Sequence, residues 1–333
     1  MEMNKKVTRS RYAAALIPWS GPGDRFQRGG YRPGLPVPER IRRAAALGVL
    51  DGVELNFPFE VNAETAIEIG RCLHDNGLTA CALGTTISSQ PQFGRGALTS
   101  RDPAVRRQAI EHVKAGMDLC ASLGGDRIYF FLGQDGCDYP LEVDYRDAWG
   151  WMIEALREIA AHRSDIRICL EYKPKEPRRH IFLNSAGTAL HLTNTIGASH
   201  VGVLFDTGHA FMAQENLGES VCLLAEAGRL FHVHFNDNYG NDDDDMVVGA
   251  VRLLPFIEAI YWLKRVGYDG WLSLDLFPYR ENPDVAVLHS IRFIQRIEAL
   301  VDEIGMDTLT ELLHRNDGAV AVRELSRRLL GIA

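Results

Sequence analysis

The chain is poor in cysteine, and none of its cysteines is paired in spacing. Cys72, Cys81, Cys120, Cys137, Cys169 and Cys222 are scattered through 333 residues with no Cys-x-x-Cys pair. That argues against a disulfide framework or a zinc ribbon and for reduced thiols in a cytoplasmic protein. Positive charge is not in excess: 36 Lys and Arg against 44 Asp and Glu give a net charge of −8, the reverse of the basic face that nucleic-acid binding normally needs. No apolar run approaches the ~18 residues required to span a bilayer. No Gly-x-Gly-x-x-Gly follows an early strand, so a dinucleotide site lacks its usual signature. No linker rich in Pro, Gly or Ser divides the chain, and a single domain over 1–333 is expected, a length that α/β barrels routinely reach.

Lys5, Lys6, Arg9 and Arg11 precede the apolar run YAAALIPW. This has the outline of a secretion leader, but the run ends in Pro-Trp without a small-residue cleavage pattern and reads as a first β-strand. Seven more short, near-continuously apolar runs follow, at 52–57, 78–84, 127–133, 166–172, 201–206, 230–235 and 271–277. Such runs suit parallel strands covered on both faces. Amphipathic segments separate them, several opening on proline or closing on glycine, as PERIRRAAALG does. Eight alternations predict a (β/α)8 TIM barrel, eight parallel strands over about 11–290, with a helical tail over about 291–333 that caps the barrel or dimerises. A doubly wound open sheet is the alternative. The turn-rich stretch 18–38 reads as an active-site loop.

In a barrel of this kind, chemistry sits at the C-terminal strand ends. From the fifth strand onward those ends carry Glu171, Asp206, His234 and Asp275. Taken singly, each is an ordinary capping or hydrogen-bonded group. Together, three carboxylates and an imidazole converging on one point would repel without a cation, and they suit Mn²⁺ first, with Mg²⁺, Co²⁺ or Zn²⁺ as alternatives. The stretch HVHFNDNYGNDDDD (232–245) adds four consecutive aspartates, either a solvated acidic loop or the surroundings of a metal. His232 and His234 share a strand face, and His234 lies nearer the mouth.

EYKPKEPR, FDTGH, HVHFND and LDLFPYR, in this order, resemble the xylose isomerase-like TIM-barrel superfamily of sugar isomerases, tagatose-type 3-epimerases, inosose-processing enzymes and endonuclease IV. The resemblance is close over about 166–280. It implies that Glu171, Asp206, His234 and Asp275 bind one divalent cation. A second would be held by His209 with Asp243 and Asp245, or with Asp242 and Asp244 if the loop is shifted by one residue. It also implies that Lys173 polarises a carbonyl oxygen, and that Glu171, Asp275 and His209 take part in catalysis. Trp19, Arg25, Phe26, Tyr139 and Arg178 are candidates for sugar contacts, against packing and surface charge as the plainer explanations.

The expected activity is metal-dependent isomerisation or epimerisation of a sugar, by enolisation or hydride shift. Two departures keep the reaction type open. The eighth strand ends in Asp275, one methylene shorter than the glutamate of tagatose-type epimerases. The early strand ends, Trp19, Asn56, Thr85 and Gln134, offer no histidine for ring opening, and His74 lies inside a helix. β-Elimination from a 3-keto-glycoside is therefore the alternative. An endonuclease IV-like repair enzyme is opposed by the charge, and a non-catalytic sugar-binding subunit would have no use for Lys173. The expected partners are a carbohydrate substrate and further copies of the chain in a dimer or tetramer, with a hetero-oligomer as the alternative; no nucleic acid and no membrane are expected.

Overall fold

A computed structural model describes residues 9–332; Lys5 and Lys6, part of the leader reading, lie outside the described residues. All eight predicted strands form: β1 (Arg11–Ala15), β2 (Gly52–Phe57), β3 (Thr79–Thr85), β4 (Arg127–Phe131), β5 (Arg167–Glu171), β6 (Val201–Asp206), β7 (Leu230–Phe235) and β8 (Trp271–Leu274). They close into one parallel barrel in chain order, with β1 paired to both β2 and β8. This is the (β/α)8 architecture, and the open-sheet alternative is excluded by closure.

The apolar runs are explained by what each side of the sheet meets. Val53, Leu55, Ile168, Leu170, Val203, Phe205, Val233 and Phe235 point outward into the core shared with the helices. Fully burying each such side chain stabilises the fold by roughly 1.5–3 kcal/mol. The alternate positions point into the barrel, where Ala82, Tyr129, Cys169 and Leu204 form a small separate cluster. Ala13, Cys81 and Trp271 form a second inward-facing apolar cluster, and between these lie polar groups: Glu54, Arg127, His232, His234 and Ser273 are all buried there. Helices begin where a side chain can take the free backbone N–H groups. Asp144 caps Tyr145–His162, Ser185 forms a capping box on Ala186–Ile196, and Asn282 caps Pro283–Ile304.

Two additions shape the mouth. Gly136–Cys137 pairs antiparallel with His180–Ile181, joining the loops after β4 and β5. Helix Pro283–Ile304 packs on Leu254–Arg265 as the last helix of the ring. The boundary drawn at 290 falls inside it, and the tail beyond is two helices, Met306–Arg315 and Gly318–Leu330. The six cysteines are free thiols. No described helix is long and apolar enough to cross a membrane.

Candidate metal centre and active site

His234 organises the centre. Strand register sets it level with Asp206 on one side and Ser273 on the other, and Asp275 follows two residues after Ser273, on the same face. The imidazole Nε2 lies 3.0 Å from Glu54 Oε2. Its Nδ1 faces Glu171 Oε1 at 3.4 Å, Asp206 Oδ2 at 3.8 Å and Asp275 Oδ2 at 3.9 Å. One ligand atom from each of Glu171, Asp206, His234 and Asp275 lies within 4.8 Å of all the others. His232 turns its Nε2 to the same Glu54, at 2.7 Å from Oε1. A carboxylate on the far nitrogen of a ligating histidine is the usual way its tautomer and ring orientation are fixed.

These residues fit a divalent cation. Glu171 Oε1, His234 Nδ1, His209 Nδ1 and Asp275 Oδ1 are buried without a hydrogen-bond partner among the described residues, whereas buried polar atoms are normally paired. The electrostatics agree. Burial pushes the Asp275 carboxyl up to about 7, with Glu171 and Asp206 adding to it and His234 opposing. Burial, with Glu171 and Asp243, also raises Asp206 against the pull of His209 and His234. Carboxylates crowded together out of water behave this way when no cation compensates them. Asp206 is held rigidly: Oδ1 accepts the His209 N–H at 2.9 Å and Oδ2 accepts Asn236 Nδ2 at 2.9 Å. Gly208 is required beside it, since a Cβ there would stand 1.9 Å from Asn236 Oδ1.

Lys173 continues the line of β5 beyond Glu171, and its Nζ sits 2.6 Å from Asp243 Oδ2 and 3.3 Å from Glu176 Oε2. Burial disfavours the ammonium, but Asp243 and Asp245 outweigh it and hold Lys173 charged. His209 Nε2 reaches the same Asp243 oxygen at 3.1 Å, and Nδ1 lies 3.6 Å from Glu171 Oε1. Burial opposes the imidazolium, yet Asp206 and Asp243 raise His209 to about 9. The acidic run therefore divides. Asp243 and Asp245 line the cleft; Asp242 is exposed against Lys175 at 3.0 Å, and Asp244 Oδ2 accepts the Tyr239 N–H at 3.4 Å. Asp245 does not join His209 and Asp243 in one ligand set among the described residues; Asp243 Oδ2 is shared between His209 and Lys173. The loop is anchored by Asp237, whose Oδ2 accepts the backbone N–H groups of Val251 and Arg252.

These groups face a cleft of about 690 Å³ at the barrel mouth, with Phe131, Phe277 and Tyr279 on the wall around Lys173 and Asp275. The five candidate sugar contacts are not on that wall. Trp19 is buried and donates its indole N–H to Asp284 at 2.7 Å. Arg25 stacks on its exposed neighbour Phe26 at 4.7 Å. Tyr139 is exposed away from the cleft, and Arg178 pairs with Asp138 at 3.1 Å and with Glu142, fixing the loop after β4. Sequence reasoning also missed Glu54 and Glu60. Glu54 had a signal, a lone charge inside the apolar run GVELNF; Glu60 lies in a loop with no periodicity to mark it.

A parallel eight-stranded barrel with a carboxylate–imidazole cluster and a buried lysine at its C-terminal mouth defines a TIM barrel whose strand ends group possible metal ligands. A family profile described as "Xylose isomerase-like TIM barrel" matches residues 41–297, and the chain belongs to that family. It is similar to the xylose isomerases of Thermus thermophilus and Thermus caldophilus, at 30% identity over 239 residues. That alignment takes in 70% of this chain and spans 62% of the length of those relatives. Among solved structures, an L-ribulose 3-epimerase superposes with a TM-score of 0.70 at 19% identity, covering 92% of this chain and 98% of that one. A 3-keto-D-glucoside 4-epimerase from E. coli gives 0.66 at 16% identity, covering 86% and 100%. At these identities the structures share the fold.

Proposed function

We propose that this protein is a divalent-metal-dependent sugar isomerase or epimerase of the cytoplasm, acting on a sugar presented in keto form. The observation that carries the reading is the convergence of Glu171, Asp206, His234 and Asp275 beside the buried ammonium of Lys173. A cation held by those four residues, Mn²⁺ being our first choice, would supply Lewis-acid stabilisation of developing negative charge. Lys173 donates a hydrogen bond from Nζ to the carbonyl oxygen as charge accumulates there. Glu171, on the cleft wall, takes the proton from the adjacent carbon. Asp275, arriving from β8, returns a proton to the sugar. His209, charged and 3.1 Å from Asp243, keeps that carboxylate aligned on Lys173. Phe131 shields the lysine from water on one side, its ring centre 5.3 Å from Nζ.

One observation favours a second reading, β-elimination from a 3-keto-glycoside. Isomerising an aldose first requires ring opening, yet the cleft wall after β2 and β3 offers Asn56 and Thr85, and His209 is its sole histidine among the described residues. Both reactions begin with loss of a proton next to a ketone. Incubating purified, Mn²⁺-loaded protein with free ketoses and with 3-keto-glycosides, and following products by NMR in D₂O, tests the proposal. Deuterium incorporation next to the carbonyl supports it; no exchange and no turnover with any ketone, by protein of measured metal content, rejects it.

A further inference from the structure

The cleft is larger than one sugar needs. A hexose has roughly the bulk of six water molecules, about 180 Å³ at ~30 Å³ each, and so fills about a quarter of the 690 Å³ available. The cation-ready cluster occupies the side of the mouth built by β5 to β8. The other side, after β1 and β2, is furnished with different chemistry. Arg40 rises from helix Val37–Ala46, with Nη1 2.7 Å from Glu60 Oε1 and Nε 2.6 Å from the Leu35 carbonyl. Glu60 Oε2 accepts the Asn56 backbone N–H at 2.9 Å and its Nδ2 at 3.3 Å. The pair is largely shielded, with side-chain exposures of 15% and 8%, yet both residues line the cleft. Next to them Phe59 shows 63% of its surface to solvent in the same wall.

A rigid fork of donors, a carboxylate pinned by three hydrogen bonds and an open aromatic face together match a pyranose. The ring presents an apolar C–H face to stack and an equatorial rim of hydroxyls that both donate and accept. The ion pair leaves no net charge to attract an anion, which speaks against a phosphate at this position. Arg40 Nη2 donates to no group among the described residues, so one donor remains free for a ligand.

We infer that Phe59, Arg40 and Glu60 form a second sugar subsite, and that the substrate is a glycoside of disaccharide size, with its reacting ring at Glu171 and Asp275 and its second ring on Phe59. This rests on the proposed sugar chemistry and narrows its substrate class. The test is calorimetric titration of Mn²⁺-loaded protein with methyl β-D-glucoside, phenyl β-D-glucoside and cellobiose, for the parent, Phe59→Ala, Phe59→Trp and Arg40→Lys. Phe59 is exposed, so its variants should fold as the parent does. Cellobiose is expected to bind about tenfold tighter than methyl glucoside. Phe59→Ala should abolish that preference without altering methyl glucoside binding, Phe59→Trp should restore it, and Arg40→Lys should reduce it. Equal affinities in the parent, equal losses for both ligands in Phe59→Ala, or no binding of any glycoside would overturn the subsite. A preference for phenyl glucoside over cellobiose would overturn the assignment to a sugar ring. Metal content measured on the same samples separates this outcome from failure of the metal reading. A protein without metal that still shows Phe59-dependent cellobiose binding keeps the subsite and loses the cation.

Discussion

Lys173 and Asp243 form an ion pair 2.6 Å long, with each side chain only 10% exposed. The acidic loop thus delivers its second aspartate to a lysine, and the lysine is held in reach of the cleft rather than left to swing. Removing one partner from such a pair strands a buried charge, which typically costs about 3–5 kcal/mol, while removing both is far milder.

Lys173→Met should therefore lower turnover about 10²-fold by removing charge that acts on the transition state, and should also lower the melting temperature. Adding Asp243→Asn should recover much of the stability and none of the turnover. Measuring kcat and melting temperature on both variants checks this; normal turnover in Lys173→Met would remove the lysine from the chemistry.

The four-residue cluster predicts metal stoichiometry. Parent protein dialysed against Mn²⁺ should retain one tight equivalent by elemental analysis, and Asp206→Asn or Glu171→Gln should lose it while keeping the barrel's circular dichroism. With Asp243 engaged by Lys173, the Asp243→Asn, Asp245→Asn double variant should still hold that equivalent. A parent with two tight equivalents, one of them lost in the double variant, would instead establish the second site with His209.

Glu54 is fully buried off the cleft wall, yet it aims His234. Glu54→Gln preserves shape but weakens the hold on both histidines, and loss of such a supporting partner commonly costs 10–100-fold in metal affinity. Competition with a fluorescent chelator should show a drop of about that size in the folded variant. Unchanged affinity would make Glu54 a filler of the barrel interior.

Asp135 gives a pH signature remote from the centre. Its Oδ1 accepts the Ala97 and Thr99 N–H groups and the Thr99 hydroxyl at 2.6–3.0 Å, while Oδ2 is buried without a partner among the described residues. Burial pushes this carboxyl up to about 6 despite those hydrogen bonds. A group whose pKa rises on folding stabilises the fold below its unfolded pKa, about 3.9, and loses that contribution as pH climbs through about 6, by up to about 3 kcal/mol. Asp135→Asn removes the titration. Its melting temperature relative to the parent should therefore rise between pH 4 and pH 7; a pH-independent difference would refute the assignment.

Much of the architecture was legible in the chain because parallel strands buried on both faces must be written as short apolar runs, and helices between them carry their own stop signals. The cluster of possible ligands was legible for a related reason. A barrel sends all its strand ends to one rim, so Glu171, Asp206, His234 and Asp275 could be grouped from order alone. Strand alternation likewise placed Lys173 on the face of Glu171. Contacts made across the barrel or between loops were not legible. Glu54 reaches His234 from 180 positions away, and Asp243 meets both Lys173 and His209 because the loop after β7 bends back under the anchorage of Asp237. Trp19 and Arg178 looked available for sugar, and only packing shows them committed to Asp284, Asp138 and Glu142. Periodicity and order are properties of neighbours along the chain, so the sequence by itself determined the barrel and which residues reach its rim. Which polar group meets which is settled by charge and burial in three dimensions, and only the tertiary structure decided that.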